Sequence, residues 1–439
     1  MKVTIRFFAL LVTALAAGSQ ADAATMRLSL EDALKMAHER NTSIKAVRAR
    51  VDQADARIVQ SRQAYLPKVK LSETYVHTTD PGANLVFKLQ QGIVTQQDFM
   101  PDRLNNPDGI SDFQTTLEVV QPLINVDAQI GRSVATSAKK AQGFMVDRTV
   151  ETIDLNVKKA YYGLILATRN LADIQQSIGV MQGYSREAGK GYSVGILTKS
   201  DKLSTDVRLS ELREQKLMMQ DEIRNAGDAL RTMLGLQADD IVVPTTELAV
   251  DSKLPASVAT ASPAGRSDLK ALDAYREVSG YQHDMARAQY LPRLNAFAQK
   301  TWHDSDLVGM NGSSWTVGLN MQWNLFDGMA TQGKVQESKA QVLEARYNYE
   351  AAKEQSQLEI NKARRSLSTS LERISVARRS LEEARVSFDF IGQQFKTGMA
   401  MTFELLMREG SYTYAKLRLN QARYDYCIAK SELDYYSGH

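Results

Sequence analysis

The chain contains one arrangement of predicted elements twice, and this duplication restricts its fold more than any other feature. The tripeptide Tyr-Leu-Pro at 65–67 returns at 290–292, so that Tyr65 corresponds to Tyr290. Further along the chain, Gln121 corresponds to Trp323 and Gly195 to Gly398. In each copy the hydrophobic periodicity predicts a helix, two strands, a very long helix and a return helix. We therefore predict an internal structural duplication rather than two unrelated domains.

The duplication divides the chain into four predicted segments. Residues 1–23 form a signal peptide and 24–235 the first helix–strand–strand–helix–helix repeat. Residues 236–265 form a proline-containing linker or equatorial segment, and 266–439 form the second repeat. The first copy carries about 23 extra residues between its strands, within 80–111. We expect this surplus to form one long loop.

The N-terminal residues have the organisation of a secretory signal. Lys2 and Arg6 precede an apolar stretch over residues 7–17, and a small-x-small cleavage pattern follows at 21–23. The apolar stretch is too short to span a bilayer, although an uncleaved anchor is the alternative. No cysteine follows it, so we expect no N-terminal lipid. The rest of the chain has no long apolar run, which leaves a periplasmic or secreted protein or a transmembrane β-barrel.

The composition argues against most enzymatic and nucleic-acid functions. A net charge of +3 is too balanced for a dedicated nucleic-acid binder. The single cysteine, Cys427, excludes an intramolecular disulfide framework and is expected to be a small buried hydrophobe. His303 and Asp304 begin a His-Asp-x-Asp string, for which a polar exposed loop is the favoured interpretation over a metal site. We predict neither an enzyme nor a bound cofactor or metal.

Large apolar residues recur every seven positions in each very long helix, which predicts a coiled-coil seam. The rows are Val157, Leu164, Leu171 and Ile178 in the first copy, and Ile360, Leu367, Ile374, Leu381, Phe388 and Phe395 in the second. A helix over about residues 127–191 would be roughly 100 Å long at ~1.5 Å per residue. Return helices are predicted over about 200–234 and 402–436.

The predicted strands alternate apolar and polar residues with a period of two, most clearly from Trp315 to Trp323. Each has the length of a tilted transmembrane strand, but a soluble antiparallel hairpin would give the same pattern. Four strands cannot close a barrel in lipid. Two copies would give eight strands with a filled interior, and three copies would give twelve with room for a lumen.

The doubled order of elements, both Tyr-Leu-Pro motifs and both helix–Gly–helix tips resemble the TolC-like outer-membrane efflux proteins. The resemblance covers the whole mature chain. It implies a mainly α fold with a transmembrane β-barrel contribution, in which a long coiled-coil α-barrel and four β-strands per protomer close as a 12-stranded barrel in a homotrimer. It also implies a passive exit duct in the bacterial outer membrane with a periplasmic extension. The implied partners are a periplasmic adaptor protein and an inner-membrane transporter of the RND or ABC class.

The same resemblance assigns roles to the two tips. Locally, Gly195 and Gly398 end their helices, and Thr198 or Ser200, together with Thr402, cap the next ones. The residues implied for adaptor docking are Val194, Gly195, Thr198, Thr397, Gly398 and Thr402. Those implied for the periplasmic entrance are Asp201, Glu404, Tyr192 and Phe395. The chain departs from the family pattern at Ala400 and Met407, where an arginine that helps to close the entrance and a second acid would fall.

Two other classes of protein share some of these features. A periplasmic adaptor also has long heptad helices and a signal sequence, but it usually has one helical hairpin, flanked by β-rich domains. An enzyme with a coiled-coil insertion would need a catalytic arrangement, and none is apparent in the sequence. The two hairpins and the few strands favour the exit duct.

Overall fold

A computed structural model describes residues 25–237, 239–251, 253–254, 258 and 261–438. The predicted signal peptide, residues 1–23, lies outside the described residues. The first half contains β1 (Thr25–Leu28), α1 (Leu30–Arg40), α2 (Thr42–Ser61), β2 (Lys68–Thr78), α3 (Pro81–Gln91), α4 (Pro101–Asn105), β3 (Ile110–Ile124), α5 (Val126–Ser193) and α6 (Lys199–Leu234). The second half contains β4 (Ile241–Pro244), α7 (Ser267–Ala288), β5 (Arg293–Asp304), β6 (Gly312–Gln322), α8 (Ala330–Lys396) and α9 (Thr402–Ser437).

The predicted helices are confirmed. Helices α5 and α8 have 68 and 67 residues, and the return helices α6 and α9 have 36 residues each. The heptad rows explain these lengths, because positions such as Val157, Leu164, Leu367 and Ile374 are buried while most of the intervening residues are more exposed. Within the described residues, no helix combines the length and apolar character required to cross a membrane.

The prediction of one long loop over residues 80–111 is wrong. This segment contains α3, α4 and a short 3₁₀ turn. The Asp80 side chain accepts a hydrogen bond from the backbone N–H of Ala83, Pro81 occupies the first turn, and Gly92 ends the helix with a φ of 73°. These are ordinary helix signals, and they outweigh the proline and glycine content that suggested a loop.

Contacts divide the described chain into two compact units, each with segments from both halves. The tip unit comprises the described residues of Met1–Asn41, Ile153–Pro255 and Ser366–Ser431. The sheet unit comprises those of Thr42–Thr152, Ala256–Arg365 and Glu432–His439. The predicted repeat boundaries at 24–235, 236–265 and 266–439 stay a prediction, since these units combine segments from both repeats.

The predicted linker contributes to the packing of the tip unit. Its strand β4 pairs in parallel with β1, so that Thr25 lies opposite Ile241. The fully buried Tyr161 fixes this pair, because its hydroxyl donates to the carbonyl of Leu28 and accepts from the backbone N–H groups of Thr245 and Thr246. A single phenol therefore satisfies three backbone groups next to two very short strands.

The sheet unit contains an antiparallel sheet with the strand order β2-β3-β5-β6. Lys68 lies opposite Val120 in the first hairpin, and Arg293 lies opposite Gln322 in the second. Lys68 and Arg293 are equivalent, because each lies three residues after the tyrosine of its Tyr-Leu-Pro motif. Val120 and Gln322 are also equivalent, because each directly precedes one of the corresponding residues Gln121 and Trp323. The two hairpins thus have the same register, as expected of a structural duplication.

The Tyr-Leu-Pro motifs receive equivalent hydrogen bonds in the two halves. The side chain of Gln121 donates to the carbonyl of Tyr65, with a distance of 2.9 Å. The indole N–H of Trp323 donates to the carbonyl of Tyr290 at 3.0 Å. Each bond joins the segment before a strand to the end of that strand's hairpin partner.

Candidate docking tips and entrance

Both tips of the helical hairpins have the same backbone turn. Gly195 and Gly398 each have a φ of 74°, a left-handed conformation that favours glycine. The residue after each glycine donates its N–H to the carbonyl five positions earlier, from Ile196 to Gly191 and from Met399 to Gln394. This is the Schellman arrangement that ends many helices. The predicted helix-ending role of both glycines is confirmed.

Capping differs between the tips. Thr198 caps α6, since its hydroxyl accepts from the N–H of Asp201 and donates to the Asp201 carboxylate at 2.6 Å. These hydrogen bonds, with a smaller contribution from Thr402, hold the pKa of Asp201 below its ordinary value. In the second tip Thr402 is the first helical residue, so the prediction that it is the cap is wrong.

The tips expose a cluster of large apolar side chains, which we name the apolar tip surface. Its members are Val194, Ile196, Met399, Met401 and Phe403. Each is at least 68% exposed, and Met401 reaches 74%. Glu404 is exposed beside this surface, whereas Asp201 is partly buried. Of the predicted docking residues, Val194 contributes a large apolar side chain to the surface.

A buried aromatic cluster supports the tips from within. Phe395 is only 7% exposed and packs with Phe388, Ala400 and Leu405. The ring of Tyr184 lies 5.9 Å from the rings of both phenylalanines. The structure therefore places Phe395 in the core of the tip unit, while Tyr192 is exposed.

Sequence reasoning missed a buried ion pair near the tips. The guanidinium Nε of Arg208 on α6 donates to Glu409 on α9 at 2.7 Å, and Glu409 is 1% exposed. The other carboxylate oxygen of Glu409 accepts from Thr413, whose hydroxyl lies 2.7 Å from that of Ser177 on α5. The ion pair and the hydroxyls join three helices. No local spacing indicates the ion pair, because its two residues lie in different repeats.

An open groove between α6 and α9 lies beside this ion pair. Its volume is about 880 Å³. Its apolar wall includes Leu203, Val207 and Phe403, and its polar wall includes Arg208 and Glu211. Phe403 belongs both to the groove and to the apolar tip surface, so the two form a continuous region.

The interpretation of His303 and Asp304 as an exposed loop is wrong, because both side chains are buried. The Nδ1 atom of His303 lies 2.8 Å from the carboxylate of Asp112, which also accepts a hydrogen bond from Gln91 on α3. Among the described residues no group of three potential metal ligands occurs. Cys427 is buried as predicted, and burial raises the pKa of its thiol to about 11.

Comparison with known proteins decides the family. The sequence profile of the outer membrane efflux proteins matches residues 33–236 and 261–439. The chain belongs to the outer membrane efflux protein family. This membership confirms the predicted resemblance and the outer-membrane location, and it gives no support to the adaptor alternative. The family comprises efflux channels rather than enzymes.

Individual relatives of this outer membrane efflux protein have low sequence identity to it but align with most of the chain. The alkaline protease secretion protein AprF of Pseudomonas aeruginosa is 22% identical over 78% of this chain and 72% of its own length. The outer membrane protein TolC of Vibrio cholerae is 19% identical over 92% of this chain and 89% of its own. A crystal structure of CusC superposes with a TM-score of 0.79 at 15% identity, covering 95% of this chain and 93% of CusC. The structural likeness confirms the mainly helical fold with few strands.

Proposed function

We propose that this protein is a passive exit duct that works as a homotrimer. Three copies supply twelve strands, which close as a barrel in the outer membrane, and their helices continue the passage into the periplasm. The predicted repeats, 24–235 and 266–439, each supply one helical hairpin and one strand hairpin. Energy comes from an inner-membrane transporter of the RND or ABC class, and the chain itself neither catalyses a reaction nor requires a cofactor.

The apolar tip surface is the observation that carries the proposal about partners. The large apolar side chains exposed at the two tips have no role in the core, and such exposed apolar surfaces mark protein contacts. The tips dock on the helical hairpin of a periplasmic adaptor. The left-handed turns at Gly195 and Gly398 allow its backbone to approach closely, since a Cβ at either position would meet no other atom within 4 Å. Glu404 and Asp201 line the entrance beside this contact.

A pair of glycine variants tests the docking. Gly398→Val places a β-branched residue in a left-handed conformation, which costs about 1–2 kcal/mol and rearranges the turn. Gly183→Val is the matched control, because Gly183 lies within helix α5, where a Cβ would meet no other atom within 4 Å and no left-handed strain arises.

Particles are cross-linked in the producing bacterium, extracted and analysed by mass spectrometry. We expect an adaptor on the wild type and on the Gly183→Val control but not on Gly398→Val. Equal capture by all three would contradict docking through the tips.

A further inference from the structure

A cavity lies in the sheet unit, where the strands adjoin the helices. Its volume is about 600 Å³. It is lined by the end of α2, the start of α5, part of α7 and the strand ends next to them. All of these segments belong to the sheet unit. The proposed docking at the tips does not involve this cavity.

Positive charge converges on the cavity from three elements. Arg57 lies on α2, Lys68 is the first residue of β2, and Arg293 is the first residue of β5. The lining contains one acid, Asp127, which forms an ion pair with Arg293. Among the described residues, neither Arg57 nor Lys68 has a carboxylate within ion-pair distance. Two cations are therefore available to bind an anion.

The same cavity has an apolar wall. Val120 and Pro122 of β3 contribute to it, and Met285 of α7 contributes as well. The volume is more than a small inorganic anion requires, and it falls within the range of about 300–1,000 Å³ that is typical of small-molecule sites. A ligand can therefore place a charged group near the cations and an apolar body against this wall.

The strand register shows which face of the sheet the cavity occupies. Lys68 lies opposite Val120, and Val120 lies opposite Phe297 on β5. Arg293 is four residues from Phe297 on the same strand. Directly opposed residues point to the same face, and so do residues two or four apart along a strand. Lys68, Val120 and Arg293 therefore share one face of the sheet.

The other face of the sheet is apolar at β6. Gly318 lies opposite Phe297, so its neighbours Val317 and Leu319 point away from the cavity. These two side chains are 65% and 68% exposed. In the proposed barrel, lipid covers such an apolar face. The face that carries the cavity is then the one that lines the passage.

We propose that this cavity binds amphipathic organic carboxylates, and we call it the junction site. The carboxylate of the ligand pairs with Lys68 and Arg57, and the apolar body of the ligand contacts Val120 and Met285. The position of the site on an export route rests on the proposed homotrimeric duct, whereas the binding itself depends only on the residues of one chain.

Three small probes test the binding to detergent-extracted particles. Benzoate has a carboxylate on an apolar ring, benzamide keeps the ring without the charge, and acetate keeps the charge without the ring. Dissociation constants are measured by saturation-transfer NMR, with protein-free micelles as the blank. We expect benzoate to bind more tightly than benzamide or acetate, because only benzoate uses both the cations and the apolar wall.

Charge-removing variants locate the binding. Lys68→Gln and Arg57→Gln should each weaken benzoate binding about fivefold, which is the effect of one solvent-accessible ion pair. Arg62→Gln is the matched control, because Arg62 is an exposed arginine just after α2 that does not line the cavity. This control should leave the dissociation constant of benzoate unchanged, and none of the variants should alter benzamide binding.

Two results would overturn the junction site. If Arg62→Gln weakened benzoate binding as much as Lys68→Gln does, general surface charge rather than the cavity would attract the anion. If benzoate bound wild-type particles no more tightly than benzamide does, the cations would not recognise a carboxylate.

Mass and single-channel conductance of the same particles separate a failure of the site from a failure of the duct. Trimeric, conducting particles that do not bind benzoate would overturn the site and leave the duct intact. Monomers without conductance that bind benzoate, and bind it about fivefold more weakly after Lys68→Gln, would overturn the duct and leave the binding site intact.

Current through the conducting particle tests whether the site lies on the passage. Benzoate, but not benzamide, should reduce the single-channel current, and Lys68→Gln should raise the benzoate concentration needed for this effect about fivefold. Benzoate binding that left the current unchanged would contradict a site on the passage.

Discussion

The buried ion pair between Arg208 and Glu409 gives a prediction whose size can be worked out from the structure. Arg208 has two carboxylate partners. Glu409 lies 2.7 Å away with 2% of its side chain exposed, and Glu211 lies 2.9 Å away with 53% exposed. The variant Arg208→Met removes the cation and leaves the Glu409 carboxylate buried without its ion partner. Breaking a buried pair in this way costs about 3–5 kcal/mol.

The control variant removes the exposed partner instead. Glu211→Ala should cost no more than about 1 kcal/mol, because water screens an exposed ion pair. A double variant, Arg208→Met with Glu409→Leu, removes both buried charges. It should be much less costly than Arg208→Met alone, since no charge is left uncompensated.

Amide hydrogen exchange of detergent-extracted particles measures these costs locally, because exchange reports the free energy of local opening. A cost of about 3–5 kcal/mol, at about 1.4 kcal/mol for each tenfold change, corresponds to exchange that is roughly 150-fold to several thousandfold faster. We expect this acceleration in Arg208→Met for the amides around Glu409 on α9. Glu211→Ala should change it by less than about fivefold. If Arg208→Met accelerated exchange no more than Glu211→Ala does, the ion pair would not hold α6 and α9 together.

Three further predictions concern other sites. Thr198→Ala should cost about 1 kcal/mol at the first turn of α6, measured by exchange at neutral pH. Because the pKa of Asp201 is lowered in the folded chain, its carboxylate stabilises the first turn of α6 at pH values above its ordinary pKa of 3.8, and this stabilisation is lost as the pH falls through the lowered pKa. A cost of Thr198→Ala that stayed the same in acid would contradict this. Tyr161→Phe should destabilise the particle by about 1–3 kcal/mol, seen as a lower melting temperature, and an unchanged one would refute its bridging role. Glu404→Gln should shift the reversal potential in a planar bilayer towards weaker cation preference, and no shift would place the carboxylate away from the entrance.

The sequence predicts the elements that repeat and have a strong period. The heptad rows through Leu164 and Leu367 predict the long helices, because burial on one side of a helix leaves a regular pattern. The turns at Gly195 and Gly398 follow from equally local rules. Helix α3 could have been predicted by the same local rules, since Asp80 and Gly92 mark its two ends.

The contacts missed by sequence analysis join distant parts of the chain. Strands β1 and β4 have four residues each and are separated in sequence by most of the first repeat, so neither has a recognisable period. Arg208 and Glu409 each resemble an ordinary charged residue on a helix, and only the packing of α6 against α9 buries them together. Their pairing depends on tertiary structure, which no local pattern encodes.

The most direct test of a trimeric exit duct is the mass of the detergent-extracted particle, measured together with its single-channel conductance from the same sample. A homotrimeric duct should give a particle of three times the mature chain mass that conducts at least intermittently. A monomer without conductance would contradict it, because four strands with two unpaired edges cannot form a passage through the outer membrane.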